Sequence, residues 1–221
     1  MIEAWREPRT RSVIIASVTL GVAVGAFGFT FGVGAVSAGS TVAQTCAMSL
    51  LIFTGATQFS AVTVVAAGGS AASAFGGALL LSARNGVYGL AMSRRLTGSL
   101  GRRLVAAQLT LDESTAMSAA QTEPDEQRIA FWITGASIYV FWNLGTLLGA
   151  LAGTAINPLT YGLDVAFPAA YVAMLWPLLR DGRARLTAAC GALICLVLIP
   201  FAPIGVPVLA ASLAILLGVP R

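Results

Sequence analysis

The chain has 221 residues, 57% of them hydrophobic and only 10% charged. Soluble domains carry about a quarter charged residues, so these side chains cannot clothe a water-facing surface and a soluble globular fold is excluded. The formal charge of +4 rests on 13 Arg with no Lys and no His, which removes most zinc, haem and Ser-His chemistry. Twelve of those arginines lie outside the apolar runs, where they mark topology rather than nucleic-acid binding.

With a mean hydropathy of +0.84, the chain reads as an all-α integral membrane protein forming a single transmembrane domain over residues 1–221. Its length suits about seven transmembrane helices at roughly 20 residues per crossing. The charged N-terminus runs into apolar sequence without a clear cleavage site, so the first helix is expected to be retained. Cys46, Cys190 and Cys195 sit in apolar segments with no metal or redox spacing and read as packing residues.

The first run, about 12–34, places Gly21, Gly25, Gly28 and Gly32 on one helical stripe, a seam for the close approach of another helix. The second, about 44–67, is interrupted by Thr54-Gly55-Ala56-Thr57-Gln58-Phe59-Ser60, with Thr54, Thr57, Gln58 and Ala61 at helical spacing. One reading is a packing face; the other is a helix break aiming backbone groups and a positive helix end at a bound anion.

The third run, about 71–93, carries Arg84 and Asn85 within apolar sequence, with Tyr88 one turn on. Arg84 precedes Arg94 by ten residues, about 15 Å of helix. It therefore belongs near the bilayer midplane, where charge is costly and usually functional. A structural reading pairs Arg84 with a carboxylate on a neighbouring helix. A functional one has its planar fork grip a substrate carboxylate.

Residues 94–128 are more polar. Leu104–Ala120 is predicted as a helix with Asp112 and Glu113 in its middle, lying on the interface or entering the membrane. The fourth run, 129–153, holds Trp132, Tyr139, Trp142 and Asn143 and a second glycine stripe, Gly145, Gly149 and Gly153. The fifth, about 159–179, begins near Asp164. After the basic loop Arg180–Arg185, residues 186–219 suit two short crossings split around Pro200–Pro207.

Two topologies fit the arginines. Seven simple crossings leave Arg94, Arg95, Arg102 and Arg103 outside, and a further crossing by Leu104–Ala120 would restore the parity downstream. A broken or re-entrant hairpin over 44–70 keeps them inside with the N-terminal arginines and violates no charge rule.

The blocks SLLIFTGATQFSAV, SARNGVYGLAMSRRL, LTLDES and YGLDVAFPAAYVAM, in that order, closely resemble the AzlC family, large subunits of bacterial branched-chain amino acid exporters of the BrnF type. The resemblance covers nearly the whole chain. It implies a secondary transporter of the cytoplasmic membrane, not an enzyme, that exports leucine, isoleucine, valine and methionine with no cofactor and with a small AzlD-like (BrnE-like) membrane partner. Within it, Thr54, Thr57, Gln58, Arg84, Asn85 and Tyr88 are expected to bind substrate. Asp112, Glu113 and Asp164 are expected to carry a coupling proton or hold the amine. Asn85 stands where the family often has His, so no proton step is available at that position. Rival readings are a non-transporting membrane scaffold and a carrier for another small carboxylate.

Overall fold

The computed structural model describes residues 8–155, 169, 172, 176–202, 206–214 and 216. Among them every regular element is helical: α1 (Pro8–Ser37), α2 (Val42–Leu51), α3 (Gly55–Ala66), α4 (Ala71–Ser93), α5 (Leu100–Gln108), α6 (Asp112–Ala119), α7 (Pro124–Ala155), α8 (Gly182–Leu198) and α9 (Val206–Ala211), with short 3₁₀ turns at Trp176–Arg180 and Ser212–Ala214. Two of these, α1 and α7, are long and apolar enough to cross a membrane. The 23 residues of α4 give about 34 Å at the helical rise.

The bundle is built on α1 against α7. The glycines of the first stripe find the second: a Cβ on Gly28 would stand 2.5 Å from the Trp142 carbonyl oxygen, and one on Gly149 would collide with the Phe29 carbonyl. Only a residue without a side chain lets the two backbones meet at that distance. Contacts advance together along both helices, from Ser17 on Thr134 (2.8 Å between hydroxyl oxygens) to Val33 beside Gly153. The two helices therefore run parallel.

Between them the chain makes two hairpins. The arm α2 runs antiparallel to α7: the Ser49 hydroxyl donates to Thr146 Oγ1 (3.2 Å), and four residues later Phe53 packs edge-on to Tyr139. After the break at Ile52–Thr54 the chain turns back. Gly55 lies over the Trp142 ring, Phe59 packs on Phe31 and Trp142, and Gln58 Nε2 reaches back to the Met48 carbonyl (3.1 Å). Gly68, at φ +81°, then turns the chain into α4. That helix runs antiparallel to α3, with Thr57 bonded to Ser82 and Ser60 beside Gly77.

The second hairpin enters from the opposite end of the bundle. Arg102 sits over Trp132 and Leu109 against Gly135, so α5 climbs alongside α7. The return arm α6 descends to Gln121, whose carbonyl accepts from Gln127 at the start of α7. The sequence reading of Leu104–Ala120 as one helix is corrected here. The helix breaks at Leu109–Leu111, and Asp112 and Glu113 open a second helix instead of sitting in the middle of one. Ser114 makes the break, its hydroxyl accepting from the Leu111 N–H (2.9 Å) and donating to the Leu109 carbonyl (2.7 Å). Burial of Leu109 and Leu111 in the core with Phe53, Phe59, Phe131 and Trp142 holds it.

Candidate functional site

The two hairpin tips meet. Gln108 Nε2, at the end of α5, donates to the Leu50 carbonyl at the end of α2 (2.8 Å), and Tyr139 donates to the same oxygen (3.3 Å). Both bonds satisfy one carbonyl of the kind that a helix C-terminus leaves without an intrahelical partner. Each tip thus presents the start of its return helix, α3 or α6, to one cavity of about 90 Å³.

The cavity wall is polar on one side and apolar on the other. Thr54 and Gly55 come from the first tip, Asp112 and Glu113 from the second, Arg84 and Asn85 from α4 between them. Val24, Phe27, Phe53, Leu111, Ile138 and Trp142 complete the wall. The break and Arg84, the two anomalies of the sequence, therefore face the same space.

Arg84 Nη1 donates to Asp112 Oδ2 at 2.5 Å, both side chains partly buried. Such a pair offsets part of the cost of bringing each charge out of water. Arg84 Nε is buried without a partner, and so are Asn85 Oδ1, Thr54 Oγ1 and Trp142 Nε1. Buried polar atoms are nearly always satisfied, and these four belong to residues lining one small space. The start of α3 carries no side-chain cap, which leaves its positive end unshielded by Thr54. Acids open α6, where a helix favours them.

The other expected site residues lie elsewhere. Thr57 and Gln58 are buried inside the first hairpin and bonded to Ser82 and the Met48 carbonyl; they brace the break and do not line the cavity. Tyr88 stands one turn along α4 from Arg84, off the cavity wall. Asp164 and its Gly162–Asp164 block lie outside the described residues. Trp142, Phe27, Val24 and Ile138 were not expected. Trp142 was visible in the sequence as a polar-tipped aromatic within an apolar run, but nothing local to it pointed inward.

The sequence model of a family described as "AzlC protein" matches residues 19–156. An "Uncharacterized membrane protein" of Helicobacter pylori (strain ATCC 700392 / 26695) is 28% identical over 170 residues, 76% of this chain and 71% of the relative. The "Branched-chain amino acid transport protein AzlC" of Bacillus subtilis (strain 168) is 24% identical over 168 residues, 75% of this chain and 63% of the relative. No solved structure matches. The chain belongs to the AzlC family.

Proposed function

We propose that this AzlC-family chain is the large subunit of a secondary transporter that exports branched-chain amino acids, leucine, isoleucine, valine and methionine, across the bacterial cytoplasmic membrane. The observation that carries the reading is the single cavity in which a fixed cation, two carboxylates and an apolar wall converge. An amino acid is a zwitterion on an apolar side chain. Its carboxylate fits the unpaired Nε edge of Arg84 and the uncapped start of α3. Its ammonium fits Asp112 and Glu113, and its side chain fits Phe27, Phe53, Ile138 and Trp142. The substrate range comes from the family resemblance and from the name of the Bacillus subtilis relative.

In the membrane path that follows, α1, α4 and α7 cross fully, while α2–α3 and α5–α6 dip in from opposite faces and return. This path keeps Arg94, Arg95, Arg102 and Arg103 on the cytoplasmic face with the N-terminus, as the bias of basic loops requires. It also confines non-helical backbone at membrane depth to two breaks that line a cavity, where it is tolerated. Protons are the coupling ion, carried by Asp112, Glu113 or Asp164, and an AzlD-like small subunit completes the transporter.

The test is leucine efflux from leucine-loaded vesicles carrying this chain with its small partner. Efflux should exceed that of vesicles lacking the chain and stop when the proton gradient and potential are collapsed. Efflux that persists after collapse sinks proton coupling, and efflux of no branched-chain amino acid sinks the substrate. The second reading, a scaffold that merely organises the partner, is favoured by the Arg84–Asp112 pair taken alone; it is separated from transport by the double variant described in the Discussion.

A further inference from the structure

A second concavity lies away from the transport cavity, between the last turns of α4 and the outer face of α5. Its volume is about 330 Å³. The last turn of α4 contributes Gly89, Met92 and Ser93, the turn that follows it contributes Leu96, and α5 contributes one face at i, i+3, i+4 and i+7, Leu100, Arg103, Leu104 and Ala107. Gly89 deepens the groove, since a Cβ there would meet nothing within 4 Å. Leu100 and Leu104 are 71% and 61% exposed, so the face of α5 that lines the groove is left uncovered.

The segment that forms it carries charge of one sign. Arg94 and Arg95 follow α4, Arg102 and Arg103 open α5, and no acidic residue occurs from 94 to 111. Arg102 lies over the Trp132 ring, 5.5 Å from its centroid, and Arg103 has no carboxylate partner among the described residues. Arginines in the first turn of a helix oppose its dipole, so their placement there is locally unfavourable and an added anion relieves it. In the membrane path above, Arg103 stands at headgroup level and Gly89 deeper, so the groove runs from a cationic mouth into an apolar interior.

We propose that this groove binds an anionic phospholipid, its phosphate on Arg103 and one acyl chain along Leu96, Leu100 and Leu104. Basic sites beside apolar surface on the cytoplasmic side of membrane helices recognise lipids of that class. The occupant would brace the free arm of the hairpin whose tip carries Asp112, which makes that arm sensitive to lipid charge. The inference rests on the proposed membrane path and not on the transported substrate.

The test is native mass spectrometry of the purified chain from mixed vesicles of dioleoyl phosphatidylglycerol and dioleoyl phosphatidylcholine. The wild type should retain phosphatidylglycerol in preference. Arg103→Gln should lower that preference about fivefold, the effect of roughly one basic residue at an anionic surface, while still retaining phosphatidylcholine. Gly89→Leu, which fills the groove at an open position, should reduce retention of both lipids. Equal retention of the two lipids by the wild type, a measurement that needs no variant, overturns the proposal. So does an unchanged preference in Arg103→Gln, or a photo-crosslinker at position 104 that captures a protein segment in place of lipid. Leucine efflux assayed on the same vesicles separates failure of this site from failure of the transport reading.

Discussion

The two hairpins share a plan and differ in how they are held. Each breaks over three residues, Ile52–Thr54 or Leu109–Leu111, and each presents the start of its return helix to the cavity. The return arm α3 is buried at Thr57, Gln58, Phe59, Ser60, Val62 and Val64, whereas α6 buries only Ser114 and Ser118. The tip of the first hairpin carries no charge and is fixed by Gln58, Gln108 and Tyr139. The tip of the second carries Asp112 and Glu113 and is tied to α4 through Arg84. The first hairpin is thus held by burial and neutral bonds, whereas the second adds to its buried Leu109–Leu111 turn an ion pair that a ligand of either charge competes for. In a carrier the second is the arm expected to move.

The most damaging way to break that contrast is to remove Arg84. Arg84→Gln leaves the carboxylates of the second tip without their cation; because both partners are only partly buried, the cost is screened to about 1–2 kcal/mol. Folded yield should fall and leucine efflux should be abolished. Arg84→Gln combined with Asp112→Asn should restore the yield, measured by size-exclusion chromatography, without restoring efflux. Recovery of efflux in the double variant would favour the scaffold.

Sidedness comes next. Ala67→Cys, in the α3–α4 turn, and Gly101→Cys, at the start of α5, should label with impermeant maleimide from opposite faces, Ala67→Cys from outside and Gly101→Cys from the cytoplasm. Labelling of Gly101→Cys from outside would mean that one hairpin crosses the membrane.

Stability sharpens the comparison further. Gln58→Leu removes a fully buried amide and its bond to Met48 and should cost about 1–3 kcal/mol. Ser114→Ala removes the bonds closing the second tip and should cost about 1 kcal/mol while slowing efflux more than Gln58→Leu does. The reverse ranking in efflux would make the first hairpin the moving one. The last change is Trp142→Phe, which keeps an aromatic ring but removes the pyrrole half of the indole with its unpaired Nε1–H. It should raise the KM for leucine roughly fivefold, about 1 kcal/mol of binding, with kcat little changed.

The first hairpin was legible because its break is written in small and polar residues, Thr54-Gly55-Ala56-Thr57, and because the arginine count favoured a chain that turns back. Arg84 was legible as a charge within apolar sequence. The second break was not, since LTLDES contains no Gly or Pro and every residue of Leu104–Ala120 tolerates a helix. What ends the helix there is the Ser114 hydroxyl and the burial of Leu109 and Leu111 against residues distant in the chain. Both glycine stripes could be read as seams, but not as each other's partner. Likewise Thr57 and Gln58 shared a helical face with Thr54 in the sequence, and only the turn of the backbone separates them from the cavity.

That pairing of seams has a consequence for how the protein is made. Ser17 and Thr134 touch across 117 positions of sequence. A chain emerging at about 5–20 residues per second leaves α1 in the bilayer for on the order of ten seconds before α7 arrives. During that interval its glycine stripe exposes backbone to whatever lies alongside, and both hairpins must be threaded before the seam that braces them can close. Closing this fold is therefore a matter of timing, because the surface that α1 offers waits for a counterpart synthesised only after both hairpins.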